Sequence, residues 1–243
     1  MNSPQQPSPE EVRKRLEEFR ARRGYLLSHQ GAMAAALPQL QDSYGAIYKA
    51  LTLDQHHLEP LEKEFVWLAI LTAAGEHVGT HHIKLFFDHG GTERQAEAVF
   101  RLVAWSSGAG TFEFLDRHWQ QYFPAVNARR AYLEGEVSLL REFGEVPSSL
   151  ARLALLGTYT ARAAHWGLVA EIEACYAEGV PEVKMAEAIS LALWPCGMNR
   201  FIEACDVWLG LMRTGRVQPS EPFRVWAETP DQEGFILPPR TIG

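Results

Sequence analysis

Two helix-like segments carry the residues best suited to chemistry. The first, GEHVGTHHIKLFFD, spans residues 75–88. At about 100° per residue, with Glu76 at 0°, its apolar arc takes in Val78, Gly79, His82, Ile83, Leu85, Phe86 and Phe87. His77, His81, Lys84 and Asp88 fall on a separate polar arc. His82 therefore interrupts an apolar face and Glu76 borders it. In the second segment, Leu168, Ile172, Cys175 and Tyr176 form the apolar face, and His165 and Glu171 interrupt it. A shift of 89 residues puts His165 on Glu76 and Glu171 on His82, so one segment carries Glu then His and the other His then Glu. Ionisable groups on an apolar face are costly to bury unless paired. If the two helices meet, each Glu would face a His of the other segment. His82 and His165 would then move protons, with Glu76 and Glu171 orienting them and tuning their pKa values. The same two His and two Glu would also suit a divalent metal. A buried network that only fixes packing is the structural alternative.

Other side chains could support such a centre. Arg162, three residues before His165, could hold a substrate carboxylate in a bidentate fork, or make a surface salt bridge. Asn199, after the break at Pro195-Cys196-Gly197, could contact a ligand or cap a helix. His77 and His81 stand four apart but lie on the wet face without a carboxylate motif.

The elements that must position these residues read as helices. Ser8 caps a first helix expected to run to about Ser28, and a short helix is expected over Pro38–Leu51. Strong helical periodicity begins at Leu61. Helices follow to Asp88, from Thr92 with Gln95 as a capping box, and from the Gly108/Gly110 break to about Tyr122. No period-2 strand is evident. Under the 89-residue shift, residues 65–119 align with 154–208 without a gap. Matches include Gly90/Gly179, Trp105/Trp194, Gly108/Gly197 and Trp119/Trp208. The pattern implies an all-α fold built from a duplicated helical unit in a pseudo-twofold arrangement. The expected divisions are an N-terminal helical extension (1–60), a first repeat (61–124), a second repeat (125–213) and an irregular tail (214–243). Phe223, Trp226, Phe235 and Ile236 suggest that the tail packs on the body or on a neighbouring subunit.

The segment GEHVGTHHIKLFFDHGGTERQAEAVF resembles the carboxymuconolactone decarboxylase and alkylhydroperoxidase D-like family, in which a motif His is followed eight residues later by Gly and then by a capped helix. His82 and Gly90 have that spacing. Redox members carry Cys-x-x-Cys-x-x-x-His, and Gly75 and Val78 stand at the two cysteine positions here. The chain therefore lacks the thiol pair, and only His82 carries over from the motif. The resemblance implies a homo-oligomer, trimer or hexamer, and a non-redox lyase acting on a small aromatic-derived or carboxylated substrate. A metal-dependent enzyme and a non-catalytic binding or assembly protein are the competing expectations.

Composition bounds these options. Hydrophobic residues make up 47% and charged residues 22%, with a net charge of -7, so a general nucleic-acid binder is not expected. No stretch is long and apolar enough for a membrane span, and the N-terminus does not read as a secretory signal. Cys175, Cys196 and Cys205 fit no disulfide or zinc framework, which suits a reducing cytoplasm. No phosphate-binding glycine loop or other organic-cofactor motif is present.

Overall fold

The computed structural model describes residues 6–232 and 234, and among these every regular element is helical. Two compact units divide at Asp54, six residues before the boundary expected from sequence.

In unit 1 (Met1–Asp54) the helices are α1 (Pro9–Arg23), α2 (Ser28–Ala36) and α3 (Pro38–Tyr48). Ser8 and Glu11 form a reciprocal capping box at the start of α1. Gly24, at φ 80°, ends it four residues short of the expected Ser28, because glycine enters the left-handed region without a Cβ penalty. A π-helical turn, Lys49–Leu53, follows α3.

Unit 2 opens with α4 (Pro60–Ala74), α5 (Thr80–Asp88), α6 (Glu93–Ser106) and α7 (Ala109–Phe114). It continues with α8 (Ala128–Leu140), α9 (Ser148–Arg162), α10 (His165–Glu178) and α11 (Glu182–Leu191). It closes with α12 (Leu193–Cys196), α13 (Met198–Arg213) and α14 (Glu221–Glu228). The central pair is α4 against α9, with α5 and α6 on α4 and with α10 and α11 on α9. Phe65, Val66, Trp67, Ala69 and Ile70 on α4 are wholly buried, as are Ala154, Leu155, Leu156 and Tyr159 on α9. Truncating one such large side chain to Ala would cost about 2–5 kcal/mol. Gly157 lets the two helices approach closely, since a Cβ there would lie 2.7 Å from Ile70 Cγ1.

Two pairs of element starts recur at the spacing of the sequence match, while α4 and α9 start 88 residues apart and α5 and α10 85. α6 begins at Glu93 and α11 at Glu182, and α7 at Ala109 and α13 at Met198, so both pairs differ by 89 residues. The tail is not irregular throughout. Pro222 near its start suits the first turn of α14, which lays Phe223 and Trp226 against Trp208. Phe235 and Ile236 lie outside the described residues. None of the described helices is long and apolar enough to cross a membrane.

Candidate functional site

The segment read from sequence as one helix from residue 75 is a loop followed by a helix. Gly75, at φ 67°, closes α4, and α5 starts only at Thr80. Glu76 therefore sits in the connection. Its carboxylate accepts hydrogen bonds from the Val78 and Gly79 amides at 2.5 and 3.1 Å. These are local turn bonds, the usual competitor of helix for a short polar side chain in a connection.

His82 lies on α5 and is 2% exposed. Its Nδ1 is 2.7 Å from Oε2 of Glu64, an equally buried residue on α4. Trp67, on the same helix as Glu64, stacks on the imidazole with ring centroids 4.3 Å apart and an interplanar angle of 23°. The His81 ring lies 4.0 Å from that of His82. Burial pushes the Glu64 carboxyl up to about 7, while the Lys63 and His89 charges pull it the other way. The result is a buried His–carboxylate dyad clamped by an indole, whose carboxyl is raised into the neutral range.

Leu68 and Phe86 stand four residues beyond Glu64 and His82. Both line a groove of about 610 Å³ bounded by α4, α5 and α6. Its walls include Leu71, Ile83, Phe87 and Phe100, and its polar lining includes Glu76, His77 and Glu93. Ile83, Phe87 and Phe100 are 46–51% exposed, so part of the apolar arc read from sequence faces the groove mouth and not the core.

Glu171 has a different partner from the one expected. It is fully buried on α10, and its Oε2 accepts from Arg152 Nη1 at 2.9 Å. The same Nη1 donates to Glu136 Oε2 on α8 at 2.7 Å, and Arg152 Nε donates to Glu178 at 3.0 Å. Burial, reinforced by the Glu171 charge, pushes Glu136 up to about 9 against the pull of Arg152. Burial also raises Glu171. Two buried carboxyls thus share one guanidinium nitrogen, and burial favours the neutral form of each.

His165 is the first residue of α10 and is exposed, with Nε2 3.7 Å from Glu203 Oε2. Among the described residues no hydrogen bond or ion pair joins any two of Glu76, His82, His165 and Glu171. The four-residue centre expected from sequence is not assembled. The exchange of Glu and His is real in the sequence, but each buried member is answered from the helix before it and not from the twin segment. Among the described residues no group of three or more His, Cys, Asp or Glu side chains is placed to hold a metal ion. Arg162 is turned to α6, donating to the Val103 carbonyl at 3.1 Å and to Ser106 Oγ at 2.6 Å. The Val103 carbonyl, near the end of α6, also accepts from the Ser106 and Ser107 hydroxyls at 2.7 and 3.3 Å. Asn199 is exposed in the first turn of α13.

Sequence reasoning missed Glu64, Arg152 and Glu136. One signal was present: Lys63-Glu64 and Arg152 interrupt otherwise apolar helices, and Lys63 and Arg152 are themselves 89 residues apart. No family model, curated protein or solved structure matches the chain.

Proposed function

We propose that the chain is a non-redox enzyme of the carboxymuconolactone decarboxylase-like kind, in which His82 moves a proton for a small apolar substrate and Glu64 orients and tunes the imidazole. The observation that carries this reading is the buried 2.7 Å contact between His82 Nδ1 and Glu64 Oε2. A carboxylate on one ring nitrogen fixes the tautomer and orientation of the imidazole and raises its basicity. The adjoining groove is mostly apolar, its charged lining residues are Glu76 and Glu93, and it contains no Lys or Arg. A neutral ring or lactone fits that lining better than a carboxylate does. The reading needs no organic cofactor. It includes a homo-oligomer, for which Phe114, Trp119, Tyr122 and Phe123, each 46–69% exposed, offer an aromatic face. It places the chain in a reducing cytoplasm, with which its free cysteines are compatible.

The test is proton transfer itself. Small lactones and cyclic ketones are incubated with the protein in D₂O, and deuterium incorporation or ring opening is followed by NMR. His82→Gln is expected to lower the rate by about 10²–10⁴-fold, the usual range for a general acid–base group. Glu64→Gln is expected to move the pH profile. A His82→Gln protein that is folded and as fast as wild type would sink the proposal.

A second reading is favoured by one fact: His82 is only 2% exposed and lies under Trp67. In that reading the dyad fixes the α4–α5 packing, and the groove binds a ligand without turnover. Groove binding that survives in His82→Gln, with no exchange in any variant or in wild type, decides for it.

A further inference from the structure

Unit 1 contains a pocket that the proposed proton chemistry does not use. It measures about 510 Å³ and lies between α1 and α3. That volume is within the range of small-molecule sites, roughly 300–1,000 Å³. Its α1 wall is Arg15, Glu18, Phe19, Arg22 and Arg23, which recur at the spacing of one helix face. From α3 come Gln41, Asp42, Gly45, Ala46 and Tyr48, and the π-helical turn adds Lys49 and Leu53. Such turns are rare and often mark functional positions.

Three observations define what the pocket would take. The first is an apolar floor: Phe19 and Tyr48 are buried there, and the Arg23 guanidinium lies 4.0 Å above the Tyr48 ring. The second is charge. Four cations line the pocket against two carboxylates, although the chain as a whole is acidic. Arg15 is committed to Asp42 at 2.8 Å and Lys49 to Asp54 at 2.5 Å. Among the described residues, neither Arg22 nor Arg23 lies within ion-pair distance of a carboxylate. Arg23 donates to the Tyr25 hydroxyl at 2.7 Å, and Arg22 spends only its Nε, on the Glu18 carbonyl at 3.3 Å. The third is an unanswered polar group. Gln41 lines the pocket and is 3% exposed; its Nε2 donates to the Gln30 carbonyl at 3.5 Å, yet its Oε1 has no hydrogen-bond partner among the described residues. A buried amide oxygen without a partner costs free energy that a ligand would recover.

From these we infer that the α1–α3 pocket binds a free amphiphilic organic anion, a single carboxylate or sulfonate on an apolar body. The body lies on Phe19 and Tyr48, the Arg22 guanidinium takes the head group, and Gln41 supplies the third polar contact. Gly45 sets the room for the body. Gly45 lines the pocket and a Cβ there meets nothing within 4 Å, so the position has room to begin a larger side chain.

The test uses the full chain and two probes of one length, octanoate and octylammonium. Binding is read by calorimetry and by shifts of the Phe19 and Tyr48 ring resonances. Octanoate is expected to bind at least tenfold more tightly than octylammonium. Arg22→Gln, a change at an exposed side chain, is expected to weaken octanoate about tenfold, the worth of one charge-assisted hydrogen bond. Gly45→Leu fills the pocket, improves helix propensity and is expected to abolish binding in a folded protein. Equal binding of the two probes overturns the inference, as does undiminished octanoate binding by a folded Gly45→Leu chain. Sedimentation of the chain with phosphatidylcholine vesicles, with no octanoate binding, would assign the pocket to a bilayer surface and overturn it as well.

Discussion

Positions 82 and 171 stand 89 residues apart, on helices that follow α4 and α9 in the same order, and both side chains are buried. Each meets an opposite charge type on the helix before it. His82 meets Glu64, and Glu171 meets Arg152. The difference lies in the cation. Burial pushes the Glu64 carboxyl up to about 7, so the Glu64–His82 pair can gain or lose a proton near physiological pH. A guanidinium does not titrate in that range, so Arg152 is a permanent charge around which Glu136, Glu171 and Glu178 are arranged. One location in the helical plan thus yields a proton-labile pair in the first half and a fixed electrostatic post in the second.

The strongest way to break the comparison is to remove the post. Arg152→Met leaves two fully buried carboxyls without their cation, and breaking a buried ion pair from one side costs about 3–5 kcal/mol. Much of the usual stability of a domain would go. Urea denaturation followed by circular dichroism checks this. A loss below about 1 kcal/mol would mean that the cluster is already neutral and that Arg152 only fills space.

Stability against pH sharpens the comparison next. Glu64 has an ordinary value of 4.5 and a folded value of about 7. Between those values the folded chain keeps a proton that the unfolded chain has released. Its contribution is complete below pH 4.5 and is lost as pH rises to 7, on the order of 3 kcal/mol. Glu136, raised to about 9, extends the decline in the same direction. Thermal melts from pH 4.5 to 9 should therefore show a continuous fall. Glu64→Gln is expected to reduce it below pH 7 only, and Glu136→Gln to flatten it between 7 and 9. A wild-type curve that rises over this interval would show that both carboxyls are ionised in the fold.

Much of the architecture was legible from local signals. Capping boxes at Ser8 and Thr92 mark helix starts, and glycines at 24, 75, 90 and 179 take positive φ at or near helix ends. The candidate site was only half legible. His82 stood out because it interrupts an apolar arc. Its partner did not, because Glu64 sits beside Lys63 one turn into α4, close behind the acidic first-turn Glu62, where charged residues normally face water. Nothing local distinguishes a solvated Glu there from a buried one; only the packing of α5 and the Trp67 ring does. Glu76 misled for the opposite reason, since periodicity was extended through Gly75, where the backbone leaves the helix.

The smallest expected effect is the most selective. His165 corresponds to Glu76 under the 89-residue shift and was an expected proton carrier from sequence. Yet it is about half exposed at the first position of α10, 3.7 Å from a carboxylate that is also exposed. An exposed pair of that length contributes little, because solvent screens it and both side chains lose freedom in forming it. His165→Ala should therefore change stability by less than about 0.5 kcal/mol, as surface substitutions usually do. It should also leave proton exchange on any substrate at the wild-type rate while His82→Gln lowers it about 10²–10⁴-fold. Equal loss of exchange in both variants would restore a shared two-histidine centre and remove the distinction between positions 82 and 171. A silent His165 confines the chemistry to the first half of the fold, where the titratable partner is.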